Sequence, residues 1–195
     1  VVLFEKGEMG GDCLNYGCVP SKALLSAAKR AHAMRTPETY GIAAVEPEID
    51  FTAVKAHVKR AIAGIAPNDS QERFEKLGVK VVRDAATFAG PERLEAAGES
   101  YSARRFVIAT GSRALIPPIP GLDQVPFLTN ETLFDVTVLP RHLLILGGGP
   151  IGMEMAQAFR RLGSAVTVLE AQEPLAKDDP ELTRVVLDAL KAEGI

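Results

Sequence analysis

Hydrophobic residues recur along the chain at two spacings, and these divide it into elements. Val1-Val2-Leu3-Phe4 is a continuous apolar run closed by Glu5, the pattern of a buried strand ending in an acid. Ser21 to Met34 carries apolar residues three and four apart in an Ala/Leu/Lys-rich background, which predicts a helix stopping before Pro37. Phe51 to about Ile65 repeats that spacing, with Val54, Val58, Ile62 and Ile65 on one face and Asp50 placed to cap it. Asp69-Ser70-Gln71-Glu72 fits the capping box of a short helix closed by Gly78. From Val79 to Thr110 the pattern shortens to alternating runs broken by Gly90-Pro91 and Gly98, a small β-meander. Phe106 to Thr110 reads as a buried strand running into Gly111, and Ile116-Pro117-Pro118-Ile119-Pro120 as a non-helical connector between domains.

A second unit follows. Leu143 to Leu146 is an apolar strand, Gly147 to Gly152 a Gly-rich turn, and Met153 to Leu162 a helix ended by Gly163. Val166 to Leu169 is a further strand, and Glu170 closes it. Glycines at 147, 149 and 152 set G-x-G-x-x-G between a strand and a helix, with an acid at the end of the next strand. That order is the mark of a Rossmann-like dinucleotide-binding fold. The glycines allow a tight turn and close backbone approach, so a pyrophosphate meets free N–H groups at a helix N-terminus. Glu170 would accept from both adenosine-ribose hydroxyls and repel a 2′-phosphate, and no cation lies between Ala171 and Ala176; NAD is favoured over NADP. Val1 to Glu5 matches the strand-plus-acid of Val166 to Glu170. It reads as a second copy whose glycine turn would fall before Val1, so both ends read as cut from a longer chain. Glu181 to Ala192 has helical spacing with Gly194 as its cap.

Both cysteines, Cys13 and Cys18, fall in Gly10-Gly11-Asp12-Cys13-Leu14-Asn15-Tyr16-Gly17-Cys18-Val19-Pro20-Ser21-Lys22. Four residues between them is neither the thioredoxin spacing nor a zinc knuckle. At the start of a helix, where negative charge is favoured, the two could close a small disulfide and act as a redox couple, or stand as two structural thiols.

G-G-x-C-L-N-x-G-C-x-P-S-K resembles the redox motif of the flavoprotein pyridine nucleotide-disulfide oxidoreductases. The likeness continues through Glu5, Ala109-Thr110-Gly111, the Gly147–Gly152 turn, Glu154 and Glu170. The resemblance implies an α/β fold of two Rossmann-like nucleotide-binding domains, each incomplete in this chain, with a small β-meander. Residues 1–112 would be the FAD-binding domain, lacking its opening strand and phosphate turn, and residues 113–195 the first half of an NAD(P)H-binding domain. It implies an enzyme that passes electrons between NADH and a substrate through a Cys13–Cys18 disulfide, most like dihydrolipoamide dehydrogenase, with mercuric reductase or another disulfide reductase as the alternative. A nucleotide-binding thiol sensor without turnover is the non-enzymatic reading.

By position, Cys18 would be the flavin-proximal thiol and Cys13 the interchange thiol. Lys22 would lie by the flavin and pair with Glu154, while Glu5, Gly10, Gly11, Lys22 and Ala109, Thr110 and Gly111 would contact FAD. Gly147, Gly149, Gly152 and Glu170 would hold the NAD. Three positions depart from the family pattern: Asp12 stands where Thr is usual, Tyr16 where a small or branched residue is, and Pro150 where many members have Tyr. The resemblance also implies a homodimer acting on a small-molecule or lipoyl disulfide.

Composition narrows the remainder. With 22 Lys+Arg against 25 Asp+Glu the net charge is −3, a poor basis for a nucleic-acid partner. Hydrophobic residues are 47% and no uncharged run is long enough to span a membrane, so a cytoplasmic protein is expected. Two cysteines do not staple a secreted scaffold, and no metal site is expected. His32, His57 and His142 sit in no matching motif and read as ordinary surface or half-buried histidines.

Overall fold

The computed structural model describes residues 1–37 and 40–195. In chain order the elements are β1 (Val2–Phe4), α1 (Gly11–Asn15), α2 (Cys18–Arg35), α3 (Phe51–Ile65), α4 (Gln71–Lys76), β2 (Lys80–Val82), β3 (Thr87–Gly90) and β4 (Arg93–Ala96). They continue with β5 (Glu99–Ser102), α5 (Asn130–Leu133), β6 (His142–Leu146), α6 (Pro150–Leu162), β7 (Ala165–Leu169) and α7 (Pro180–Ala192). This is a mixed α/β chain, and no described helix is long and apolar enough to cross a membrane. By packing it divides into two compact units, Val1–Val19 with Ala61–Leu133, and Pro20–Arg60 with Phe134–Ile195.

In the first unit β1 pairs in parallel with β2, Leu3 opposite Val81, and Glu5 N–H extends the ladder to the Val82 carbonyl at 3.0 Å. Lys80–Val82 therefore belongs to the β1 sheet and not, as its alternation suggested, to the meander. A parallel partner needs a long crossover, which local alternation cannot reveal. The meander is β3–β4–β5, antiparallel throughout. Its second turn has Ala97 and Gly98 both at positive φ, 51° and 76°, the geometry that matches strand twist. Asp84 holds Ala97 there by accepting from its N–H at 2.6 Å.

Two details differ from the sequence reading. Ser70, not Asp69, caps α4, its hydroxyl accepting from Arg73 N–H at 3.2 Å. Phe106 to Thr110 is not a buried strand: it has no ladder partner among the described residues, and Val107 is 91% exposed. Only Phe106 packs, edge-on against Phe88 at 5.2 Å. An apolar run becomes a strand only where a neighbouring edge accepts its hydrogen bonds.

In the second unit α6 connects the parallel strands β6 and β7, which register Leu144 opposite Thr167. It buries Met153, Met155, Ala156, Ala158, Phe159 and Leu162. The β6–β7 strands alternate in exposure instead of being buried on both faces, with Leu144 55% and Leu169 51% exposed. The helix covers one face, and the apolar residues on the other remain open.

α2 begins three residues before Ser21 because a helix's first amides lack intrahelical acceptors, so Pro20 loses nothing there. α3 runs as its spacing predicts, with Asp50 accepting from Ala53 N–H at 3.0 Å and Phe51 tilted against Phe159 at 6.3 Å. α7 is capped by Asp179 and closed by Gly194 at φ 85°, after which Ile195 N–H returns to the Leu190 carbonyl. Arg161 grips the Glu193 carboxylate at 2.6 and 2.7 Å, fastening α6 to the end of α7. Gln157 shares that carboxylate at 2.9 Å, and Arg160 donates to the Glu193 carbonyl at 2.7 Å.

Candidate active site

Gly10 makes the turn into α1 at φ 88°, where a side chain is doubly excluded: a Cβ would sit 2.3 Å from Leu14 Cδ2. Leu14 is buried, and Asn15 ties the same turn by donating to the Met9 and Gly11 carbonyls at 3.1 and 2.9 Å. Gly17 is forced by closeness alone, because a Cβ would lie 2.9 Å from the Asp12 carbonyl. The effect is a compact hook that brings Cys13, inside α1, beside Cys18, at the first position of α2. Both residues are exposed, and they are thiols here, not a disulfide.

The two sulfurs act on each other. The Cys13 thiol is pushed above the ordinary cysteine range, first by the hydrogen bond it makes to Cys18. Slight burial adds to this, as does the repulsion a second negative charge beside Cys18 would meet. The negative charge of Asp69 works in the same direction, while a backbone hydrogen bond from Cys18 opposes it. Asp12 brings its carboxylate to Gly111, where a Cβ (φ 69°) would lie 3.2 Å from Oδ2. Position alone does not announce that approach, since about a hundred residues separate the partners.

The second unit brings Lys22 and Glu154 together, Nζ lying 2.7 and 2.6 Å from the two carboxylate oxygens. Both are partly exposed, so the pair fixes the two side chains more than it stabilises the fold. Glu5, in the first unit, accepts from Gly7 N–H at 2.7 Å. Glu170 repeats that turn by accepting from Gln172 N–H at 3.1 Å, and its other oxygen takes Gly148 N–H at 2.7 Å. The Gly148 N–H, with those of Gln172 and Ala171, holds the Glu170 carboxyl below the usual carboxylate range.

The three fingerprint glycines have separate reasons. Gly147 adopts φ 108° and donates to the Leu169 carbonyl at 2.8 Å. Gly152 lets α6 pack on the turn, since its Cβ would fall 2.3 Å from the Gly147 carbonyl oxygen. A Cβ at Gly149 would meet nothing within 4 Å. Protein packing does not explain that glycine. Pro150 occupies the first turn of α6 and brings no N–H.

A strand, a three-glycine turn, a helix and a second strand ending in a tethered acid make up the pattern of a dinucleotide-binding fold, and the first unit carries a hook with two neighbouring thiols. The chain belongs to the pyridine nucleotide-disulphide oxidoreductase family, whose model matches residues 1–195. It is 39% identical over 201 residues to a mercuric reductase of Streptomyces lividans and 38% over 207 residues to a dihydrolipoyl dehydrogenase of Thermus scotoductus. In each case all of this chain and 42% of the relative are covered. Among solved structures it is similar to the HOCl-induced flavoprotein disulfide reductase RclA of Escherichia coli, in its Cu(II) complex. That likeness has a TM-score of 0.80 at 27% identity, over all of this chain and 42% of that one. The chain thus spans about two fifths of the length of these relatives.

Proposed function

We propose that the full-length protein is an FAD-dependent oxidoreductase that passes electrons between NADH and a disulfide substrate through Cys13 and Cys18. Residues 1–112 contribute its FAD-binding part and residues 113–195 the first half of its NAD(P)H-binding part. The observation that carries this reading is the contact between the two thiols, held in a hook built by Gly10 and Gly17. When bound, the flavin supplies two-electron transfer between nicotinamide and disulfide.

The chain's own groups do the positioning. Gly149 leaves the pyrophosphate its room, and Glu170, anchored on Gly148 and Gln172, presents negative charge where a 2′-phosphate would have to sit. That arrangement favours NADH. Lys22, its charge balanced by Glu154, is the cation offered to the flavin. Cys18, first in α2, is the flavin-side sulfur, and Cys13, exposed in α1, meets the substrate. In disulfide exchange Cys13 forms the mixed disulfide and Cys18 then displaces it.

A small-molecule or lipoyl disulfide is the leading substrate, on a homodimeric enzyme. Hg(II) is the second, favoured by the near-equal likeness to the mercuric and lipoyl relatives. Assaying the full-length protein with NADH against lipoamide, oxidised glutathione and Hg(II) separates them. Oxidation of NADH with none of the three would refute the enzyme reading.

A further inference from the structure

Among the described residues two that are not glycine hold a positive φ: Ala97, and Leu175 at 55°. That conformation is disfavoured for a leucine, whose Cβ crowds the following carbonyl oxygen, and it persists only where the surrounding chain fixes it. The surroundings do so here. Leu175 N–H donates to the Gly148 carbonyl at 2.9 Å, and the Leu175 carbonyl accepts from Asp178 N–H at 2.9 Å. Pro174 sits against the same glycine, its Cβ 3.1 Å from where a Gly148 Cβ would be. Just beyond, Asp179 caps α7, so the chain is anchored on both sides of Leu175. A residue unable to hold φ 55° must give up one of the two bonds.

Gly148 is thereby held on both sides, its N–H by the Glu170 carboxylate at 2.7 Å and its carbonyl by Leu175. A planar trans peptide points its carbonyl and the next N–H in opposite directions. Turning the Gly148 carbonyl toward Leu175 therefore turns the Gly149 N–H away from it, and that N–H has no partner among the described residues. Pro150 brings no N–H, so Gly149 supplies the donor between the turn and the first amides of α6. We infer that Leu175 is a positioning residue of the nucleotide turn: through the Gly148 carbonyl, its left-handed backbone presents the Gly149 N–H as a donor to the pyrophosphate of a bound dinucleotide. This role rests on the proposed dinucleotide site at the start of α6 and adds the residue that sets the direction of one of its donors. It belongs to the Leu175 backbone and not to the side chain.

The test measures binding to the oxidised full-length holoenzyme by calorimetry. Its two probes are ADP-ribose, which carries the pyrophosphate and transfers no electrons, and adenosine, which has no phosphate. Leu175→Gly and Leu175→Asn accept a positive φ and should bind ADP-ribose within about threefold of the wild type. Leu175→Val is nearest in bulk but β-branched, and Leu175→Pro has no N–H. Each should bind ADP-ribose about tenfold more weakly, the loss of one hydrogen bond to a charged group. Adenosine should bind all four variants like the wild type, because the ribose acid Glu170 is unchanged. A packing role for the side chain gives the opposite order, Val best and Gly worst. That order would overturn the inference, as would equal ADP-ribose affinity in all variants or an equal loss for adenosine. Should the Val and Pro variants misfold, a tenfold loss in both Gly and Asn variants, or a wild-type Leu175 amide that exchanges hydrogen as fast as an open loop's, overturns it. Variants that bind alike sink only this inference, whereas a wild type that binds no ADP-ribose sinks the dinucleotide reading beneath it.

Discussion

Adding one methyl group at Gly152 should damage this protein far more than adding one at Gly149. A Cβ on Gly152 would stand 2.3 Å from the Gly147 carbonyl oxygen, about 1 Å closer than a carbon and an oxygen tolerate. The turn cannot simply step back. Gly147 is fixed at φ 108° and hydrogen-bonded to Leu169. Gly148 is hemmed in by Pro174, Glu170 and Met153, all within 3.2 Å of where its own Cβ would be. α6 must therefore move against β6 and β7, at the upper end of overpacking costs, about 3 kcal/mol. For a domain of this size that lowers Tm by about 6–12 °C. Gly149 has φ −76° and open space, so Gly149→Ala should change stability by less than about 0.5 kcal/mol. It should instead weaken NADH binding about tenfold, because the methyl occupies the pyrophosphate's room. Calorimetry and NADH titration of both full-length variants provide the two readings. A wild-type Tm for Gly152→Ala, or an equal loss of Tm in both, would refute the packing argument.

Other outcomes follow from the remaining contacts. Cys18→Ala removes the acceptor and the charge that hold the Cys13 proton, so Cys13 should alkylate faster at pH 8, its rate–pH curve moving toward that of an ordinary cysteine; an unmoved curve contradicts the pairing. Glu170 is held below the usual carboxylate range, so its hold on Gly148 should persist through that range and disappear only as pH falls through the lowered value. Glu170→Gln should narrow the NADH-over-NADPH ratio of kcat/KM, and an unchanged ratio would remove Glu170 from nucleotide choice. Arg161→Met leaves the Glu193 carboxylate with Gln157 as its remaining side-chain donor, and should cost about 2 kcal/mol in thermal unfolding.

Much of the site is legible in the sequence because its glycines and acids act locally. Gly147, Gly149 and Gly152 lie between a strand and a helix, and Glu170 closes the following strand, so spacing alone assembles the turn. The pairing of Lys22 with Glu154 was reachable only through resemblance, since 132 residues separate them and neither flank marks the other. The placement of β2 was not legible: three residues of alternation fit a hairpin as well as a parallel edge. Nor was the fate of Phe106 to Thr110, which depends on a partner edge and not on its own composition. Nor was the grip of Arg161 on Glu193, because only the closing turn of α7 brings the two together. Asp12 was legible as a departure from the family pattern, but its approach to Gly111 was not.

Counting thiols tests the central claim most directly. The full-length holoenzyme, oxidised and free of air, is given one equivalent of NADH, quenched with an alkylating agent and mapped by mass spectrometry. The account predicts two new alkylated thiols per chain, at Cys13 and Cys18, and none in a Cys13→Ser variant. NADH consumption with both cysteines in the same state before and after would contradict it.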